Sequence, residues 1–581
     1  MNKETNNPLG VKDHIWKSIV SKYTEAGAYD LLRSCPYQLA INLDVSFSTI
    51  DEYVMTNTGI DAHCPARIRN GLQYLLSAIE RGTSSDTETS DDLRRLAGST
   101  CIPKSSSYSL LEDLFGFEED SIEMPLLDRV IKSLAVRGKI SVNRVNGQIY
   151  LANKDTYAAE REAASAVTTL LGKAGFVKPT LDAKKTMYDI VDTAQAMTGL
   201  ILSQEQKNAV CMVLQNRISV LTGGPGTGKS ATQKVLVESF RLLKPNGTIR
   251  CIAPTGQAAS RMHEATGYSA TTIHKALGIN PEETVAKKRL MEDLVLVDES
   301  SMIDIHVFKA LVTSLAENTS IVFIGDPSQL PSIACGNVLD DLLSTRVPCS
   351  RLTKVFRQGD NSIAFNCARI KNGNTDLEID DSFEFIECKD SKSISKTVCD
   401  IYAKEVSKNG LDSVCCLTPY RRKTKTGVNS LNRAIRSKLH DISNLTWCEH
   451  DGIRIYSGDK IVFTRNKNGL VNGDIGTAVK CTKGQCICRF GDREIVLRGD
   501  DLKAIDSAYA QTTHKAQGQE YKTCIIVIDE EHSSFLNKGQ IYTAISRAKQ
   551  KCICVGSKET LKRAIGVNGG SRLSCLSGMI G

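Results

Sequence analysis

The stretch Leu221-Thr-Gly-Gly-Pro-Gly-Thr-Gly-Lys-Ser230 follows a short β-branched run, Ile218-Ser-Val-Leu221, and precedes a segment from Ala231 to Leu243 whose apolar residues Val235, Leu236, Phe240 and Leu243 fall at helical spacing. Strand, glycine-rich turn and helix in that order are what a phosphate-binding loop requires. Gly223, Gly224, Gly226 and Gly228, with Pro225 and Thr227 between them, let backbone N–H groups turn inward onto phosphates. The new helix, opening through Ala231, points its positive end at the same place. Lys229 reaches the outer phosphates and Ser230 can ligate Mg²⁺, so ATP and Mg²⁺ are the expected cofactors.

Downstream, one theme repeats: an apolar run ends in a polar cluster. Thr248 to Ala253 runs into Pro254-Thr-Gly256, Leu294-Val-Leu-Val297 into Asp298-Glu299, and Ile321 to Gly325 into Asp326-Pro-Ser-Gln329. Ser413 to Leu417 then runs into Thr418-Pro-Tyr-Arg421, and Cys524 to Ile528 and Cys552 to Val555 add two more apolar runs. Buried strands with helical material between them describe an α/β protein with parallel sheets, and there are enough strands for two such sheets. Ligands of such sheets gather at the carboxyl ends of the strands. There Asp298 is placed to hold Mg²⁺ and Glu299 to orient and deprotonate a water. Arginine is the usual source of positive charge for the γ-phosphate, and Arg357 and Arg547 are the candidates.

The flanks read differently. The first ninety-odd residues are mostly helical, with a Ser/Thr/Asp-rich connection from Gly82 to Asp91. Helices then lead into an alternating stretch, Lys139 to Leu151, with Asn146-Gly147 between two β-type runs, a hairpin signal. Such a winged-helix-like unit can bind nucleic acid or merely pack against its neighbours, and the residues leave both readings open. From Ile453 to Lys503, short strands at close spacing with glycine turns predict a small inserted β-barrel. The end, Gly566 to Gly581, is Gly/Ser-rich and reads as a frayed tail.

At 581 residues the chain exceeds one core, and a net charge of +7 permits a polyanionic partner without arguing for one. Its 20 cysteines include no Cys-x-x-Cys pair, and several alternate within β-like runs, so reduced, buried thiols are expected rather than metal ligands. No signal-type apolar run follows Met1 and no stretch approaches the ~18 apolar residues of a membrane span. The expectation is a soluble cytoplasmic protein with no membrane partner.

Taken together, these segments resemble the RecD-like helicases of superfamily 1, the branch that moves 5′ to 3′ along single-stranded DNA. The matching blocks run in family order from Leu202-Ser-Gln-Glu-Gln206 through the phosphate loop, Ala253-Pro-Thr-Gly-Gln-Ala-Ala259, Thr272-Ile-His274, Asp298-Glu-Ser-Ser-Met302 and Gly325-Asp-Pro-Ser-Gln-Leu-Pro331. They continue with Val355-Phe-Arg-Gln358, Thr418-Pro-Tyr-Arg-Arg422, Asn472-Gly-Asp-Ile-Gly476, His514-Lys-Ala-Gln-Gly518 and Tyr542-Thr-Ala-Ile-Ser-Arg547. The resemblance implies two RecA-like motor lobes, at 201–345 and at 346–450 with 507–565, and a Src-homology-type barrel inserted at 451–506. Around them it leaves a helical N-terminal region at 1–95, the winged-helix-like unit at 96–155, a helical connection at 156–200 and a flexible tail at 566–581.

Carried over position by position, Gln206 would read adenine, Gln329 would sense the γ-phosphate, Arg357 and Arg547 would act as arginine fingers, and Gly518 with Glu520 would line the nucleotide from the second lobe. Pro254, Thr255, Thr272, His274, Thr418, Arg421, Thr512 and His514 would face the strand. The family's glycines around Phe47 are Asp44 and Ser46 here, and its strand-splitting pin is reduced to a charged stretch within 275–293. Implied partners are single-stranded and tailed duplex DNA; whether the N-terminal region meets DNA or replication or recombination proteins stays open, as does the oligomeric state, with a monomer favoured. The implied activity is ATP-dependent 5′-to-3′ unwinding, in replication, recombination or repair. The alternative is a DNA-stimulated translocase that displaces proteins without efficient unwinding. A groove that tracks the backbone distinguishes DNA from RNA weakly, and no carboxylate cluster of nuclease type stands out.

Overall fold

In a computed structural model, residues 13–581 are described apart from 44, 83–90, 146, 177–180, 281–282, 357–361, 422–423, 466, 468–469, 471 and 571. Arg357, Asp44, Asn146 and Arg422 therefore lie outside the described residues. Among the described residues no helix is long and apolar enough to cross a membrane.

The first motor sheet forms because its strands are apolar on both faces. Its order is Ala270–Thr272, Ile249–Ala253, Leu294–Val297, Ser320–Gly325, Ile218–Gly223, Cys349–Leu352, and every neighbouring pair is parallel. Every residue of Leu294–Val297 and of Ile218–Gly223 is buried, as a sheet covered by helices on both sides demands. Cys349–Leu352 pairs with the phosphate-loop strand, so the first lobe extends beyond the expected boundary at 345. It also begins earlier in packing terms. The expected connection forms two helices, Lys154–Leu171 and Leu181–Thr198, that cover opposite faces of this lobe. Ala163 and Val167 join the cluster of Phe308 and Phe323, and Val191 and Ala194 join that of Leu236 and Phe240.

The second lobe is a five-stranded parallel sheet in the order Phe383–Glu387, Ala548–Gly556, Tyr521–Ile528, Val414–Thr418, Ala510–Thr512. Between its strands the chain leaves to build an antiparallel sheet, Arg493–Arg498, Gln485–Phe490, Ile475–Thr482, Lys460–Phe463, Ile505–Ser507. A hairpin, Trp447–His450 with Ile453–Tyr456, closes over the same core, so this unit starts at Trp447 and not at 451.

In the N-terminal third, helix Pro65–Arg81 serves two cores. Tyr74 and Ala78 face a helical cluster around Trp16 and Phe47, while Ile68, Leu72 and Leu75 pack on the helices Ser106–Phe115 and Met124–Val136. Arg67 and Asp51 form a buried ion pair at 2.6 Å, and Asp51 also accepts from the Tyr37 hydroxyl at 2.6 Å. Cys101–Pro103, Ile140–Val145 and Gln148–Asn153 complete a three-stranded antiparallel sheet beside the two helices.

The stretch 275–293 carries no hairpin among its described residues; the N–H groups of Lys287 and Lys288 donate to Leu277 O, and Leu290 is buried in the first lobe. The tail is not frayed. Arg572 donates to Ser332 O and Ala334 O, Leu573 O accepts from Thr100 N, and a short helix, Leu576–Ile580, buries Leu576 and Ile580 against helix Lys154–Leu171. Glu160, fully buried, accepts from Thr100, from Ser574 and from the Cys575 N–H. Gly/Ser-rich composition hides these few anchoring side chains.

This junction is rich in buried carboxyls. Burial pushes Asp341 up to about 7, and burial does the same to Glu80. Folded values above the unfolded ones mean that the associated stability is fully present below the unfolded range, near ~4, and is lost as pH rises through about 7. The apparent melting temperature is expected to fall between about pH 5 and pH 8, and to fall less in Asp341→Asn. An equal fall in both proteins would exclude Asp341 as a source.

Candidate functional site

The phosphate loop is held open by its glycines. Gly226 and Gly228 have φ of +75° and +80°, where other residues are strained. A Cβ at Gly228 would lie 2.3 Å from Gln206 Nε2, and one at Gly223 would lie 2.4 Å from Thr227 Oγ1. Gln206 is thus packed onto the loop. Its Nε2 donates to Thr227 O at 3.1 Å, and its Oε1 accepts from Ser203 N at 2.8 Å within a capping box. Each polar end of its amide makes one hydrogen bond, which fixes the side chain and leaves one N–H and one oxygen lone pair for adenine. Lys229 Nζ lies across the loop, donating to Gly223 O at 2.5 Å and Gly224 O at 3.2 Å. Ser230 is exposed in the first turn of helix Lys229–Leu243, with Ala231 half-buried behind it.

Asp298 and Glu299 follow strand Leu294–Val297. Asp298 Oδ1 accepts from Glu299 N at 2.9 Å, and Glu299 has φ +50°, a left-handed conformation that costs a non-glycine residue on the order of 1–3 kcal/mol. The Glu299 carboxyl lies within the influence of the Arg547, Asp298 and Lys229 charges. Burial raises its pKa, with the Arg547 charge opposing and Asp298 adding to the rise. Gln329, 8% exposed, has an Oε1 with no hydrogen-bond partner among the described residues. Pre-formed glycine turns, an ammonium at their mouth, a hydroxyl and carboxylate for a divalent ion and an unpaired buried amide oxygen together fit a magnesium nucleotide.

The second lobe closes this cleft. Tyr542 donates to Asp326 Oδ2 at 2.7 Å, and a Cβ at Gly224 would stand 3.2 Å from its hydroxyl. Leu330 N donates to Thr543 Oγ1 at 2.9 Å, and Gln517 Nε2 donates to Leu330 O at 2.8 Å. Arg547, 3% exposed, is held by Gln519 O at 3.2 Å and Ser546 Oγ at 2.9 Å. Burial would raise the Glu520 carboxyl, yet Arg261 of the first lobe and Lys549 hold it below its ordinary value, at 3.9 and 3.1 Å. Gly518, φ +73°, brings its backbone against Thr255, whose Oγ1 would be 3.2 Å from a Cβ there.

Across the same junction runs a groove of about 940 Å³ bounded by both lobes and the inserted barrel. Thr255, Arg421, Thr512 and His514 line it, together with Gln257, Lys503 and Lys515, which the sequence reading missed. A second cavity of about 560 Å³ shares Arg421, Thr512 and Lys515 and adds Arg433, Arg436 and Arg454, with Arg421, Arg436 and Arg454 paired to Asp506, Asp459 and Glu449. The barrel reaches the first lobe here, with Gln257 Nε2 donating to Gly473 O. Pro254, Thr272 and His274 are half-buried and do not line either cavity, and Thr272 caps helix Ile273–Leu277 by accepting from Lys275 N. Thr418 is a correction: it is 1% exposed and donates to Thr426 O at 2.9 Å, because its pairing with Thr512 sets it inside the sheet.

Tyr542, Thr543 and Gln517 also went unassigned, although they lie within the blocks that contain Arg547 and His514. Their polar side chains in otherwise apolar or small-residue blocks were the available signal.

Three family profiles match the chain: the ATP-dependent RecD2 DNA helicase HHH domain at residues 4–83, an AAA domain at 201–391 and the UvrD-like helicase C-terminal domain at 507–555. The ATP-dependent RecD2 DNA helicase of Deinococcus radiodurans is 30% identical over 426 residues, covering 71% of this chain and 55% of that protein. The chain thus spans about half the length of that relative. The RecBCD enzyme subunit RecD of Mycolicibacterium smegmatis is 29% identical over 410 residues, covering 62% of this chain and 72% of the relative. A solved Pif1 helicase structure overlaps loosely, at 19% identity and a TM-score of 0.41, over 61% of this chain and 92% of that one.

Proposed function

The chain belongs to the RecD-like branch of the superfamily 1 helicases, and from that membership we propose that it is an ATP-driven motor that moves 5′ to 3′ along single-stranded DNA and separates tailed duplexes. The observation that carries the proposal is the junction at Leu330. The loop of Asp326 and Gln329, at the phosphate end of the first sheet, is hydrogen-bonded through Leu330 and Asp326 to Gln517, Tyr542 and Thr543 of the second. A change at the phosphates is thereby passed to the lobe that carries Arg421, Thr512 and His514 in the groove.

In this reading Lys229 gives up its loop carbonyls for the outer phosphates, and Gln329 offers its unpaired amide to the γ-phosphate. Glu299 takes the proton of the attacking water. Arg547 meets the charge that builds up on the transferred group. Ser230 and Asp298 are the residues that would hold Mg²⁺, which when bound neutralises charge on the β- and γ-phosphate oxygens. Closure of the lobes on nucleotide and reopening after hydrolysis would alternate the grip of Thr255 on one side with that of Thr512 and His514 on the other. Contacts to phosphates and stacked bases suit a motor indifferent to sequence.

A second reading has its own observation: with no hairpin among the described residues of 275–293, nothing there projects to split a duplex. The chain would then be a translocase that clears proteins. Strand separation on duplexes with a 5′ or a 3′ tail decides between them, run beside Lys229→Ala. Unwinding from the 5′ tail alone, lost in the variant, is the expected result. Brisk DNA-stimulated hydrolysis with neither tail unwound would establish the second reading.

A further inference from the structure

The inserted barrel holds a feature that the motor cycle does not use. Cys448, Cys481 and Cys486 come from three different strands, and their sulfurs all lie within 4.8 Å of one another; among the described residues this is the one such group of His, Cys, Asp or Glu side chains. Cys448 Sγ is 3.9 Å from Cys481 Sγ, and Cys481 Sγ is 3.4 Å from Cys486 Sγ. Cys488, two residues along the same face, lies outside that group but brings its sulfur to 3.3 Å from Cys486. All four side chains have zero exposure.

A zinc–sulfur bond of about 2.3 Å gives a tetrahedral edge of about 3.8 Å; the Cys448–Cys481 and Cys481–Cys486 separations of 3.9 and 3.4 Å lie close to it, whereas Cys488 must shift to share the same ion. Chance packing of small hydrophobic thiols explains a buried cysteine, and the chain has many. Cysteines also meet across strands in the second sheet, where Cys415, Cys524 and Cys552 stand in register, but among the described residues only in the barrel do three sulfurs lie within 4.8 Å of one another. Cys481 and Cys486 are directly opposed in register across Ile475–Thr482 and Gln485–Phe490, while Cys448 arrives from the hairpin that closes over them. Among the described residues no other polar group is hydrogen-bonded to the sulfurs of Cys486 or Cys488 beyond backbone carbonyls and the neighbouring thiols.

We propose that Cys448, Cys481 and Cys486 form a structural Zn²⁺ site in the core of the barrel, with Cys488 moving in from beside Cys486 to complete the four ligands. Thiolate ligands select thiophilic d¹⁰ ions over hard cations such as Mg²⁺, and four of them leave no open position for chemistry. Binding releases the thiol protons to solvent. The ion would tie Trp447–His450, the strand by which the chain leaves the second lobe, to the hairpin beyond it. It would thereby stiffen the unit whose Gly473 meets Gln257 at the groove.

The test uses the full chain purified under reducing conditions. Metal analysis is expected to find one zinc per chain, retained through dialysis, and Co²⁺ exchange is expected to give a sulfur-to-cobalt charge-transfer band. Cys448→Ala with Cys486→Ala should lose both signals, while Cys399→Ala, a buried cysteine in the second lobe, should keep them. Should the double variant not fold, the wild-type stoichiometry still decides. Absence of zinc and of the cobalt band from folded protein, copper in place of zinc, or a mass two hydrogens lighter from a Cys481–Cys486 disulfide formed in air would each overturn the proposal.

Discussion

Glu299→Gln is expected to lower kcat for DNA-stimulated ATP hydrolysis by roughly 10²–10⁴-fold, the range for loss of a positioned general base, while nucleotide still binds. Gln keeps the shape of the side chain and the backbone turn at φ +50° and removes only the ability to take a proton. The position is one the chain holds at a cost, since a left-handed non-glycine residue is strained, and its carboxyl feels the Arg547 and Lys229 charges of the cleft. The Glu299 side chain makes no hydrogen bond to the described residues through which Gln would unsettle the fold, whereas Asp298 caps the Glu299 N–H and packs at the strand end. Steady-state hydrolysis with single-stranded DNA, beside binding of a fluorescent ADP analogue, separates the two effects. A loss of less than about tenfold would remove Glu299 from the role of base.

How much of this was legible depends on how local the cause was. The phosphate loop was legible because its turns need residues without a Cβ at Gly226 and Gly228, and such a need writes itself directly into the chain. The motor strands were legible because both their faces are covered, which forces runs such as Leu294–Val297 to be wholly apolar. The barrel was legible from short strands at close spacing with glycine turns between them. What was not legible depends on how separate pieces dock. Tyr542 meets Asp326 across 216 residues of chain, and nothing near either residue announces the other. Thr418 reads as a polar strand end, yet its register with Thr512 buries it. The tail looked mobile because a run such as Asn568-Gly569-Gly570 is not informative about Arg572, Cys575 and Leu576, three residues that anchor it. Alternation at Cys486 and Cys488 revealed a strand, but the approach of Cys448 from another strand did not follow from it.

Arg547→Ala is expected to cost more than Glu299→Gln, roughly 10³–10⁵-fold in kcat, the range for an arginine finger. Arg547 lies on the second lobe and Glu299 on the first, and the influence of Arg547 on the Glu299 carboxyl brings them to one cleft. Arg547 is 3% exposed and its guanidinium is fixed by Gln519 O and Ser546 Oγ, so it is oriented before nucleotide binds. Truncation also leaves those acceptors unpaired, at about 1–3 kcal/mol of stability, and this must be separated from chemistry. Arg547→Lys does so. It keeps a charge but loses the planar fork that bonds two acceptors at once, so it should recover stability while leaving most of the rate deficit. If instead Arg547→Lys restored the rate together with the melting temperature, the residue would be a lobe-interface support. The charge on the transferred phosphate would then have to be met by Arg357.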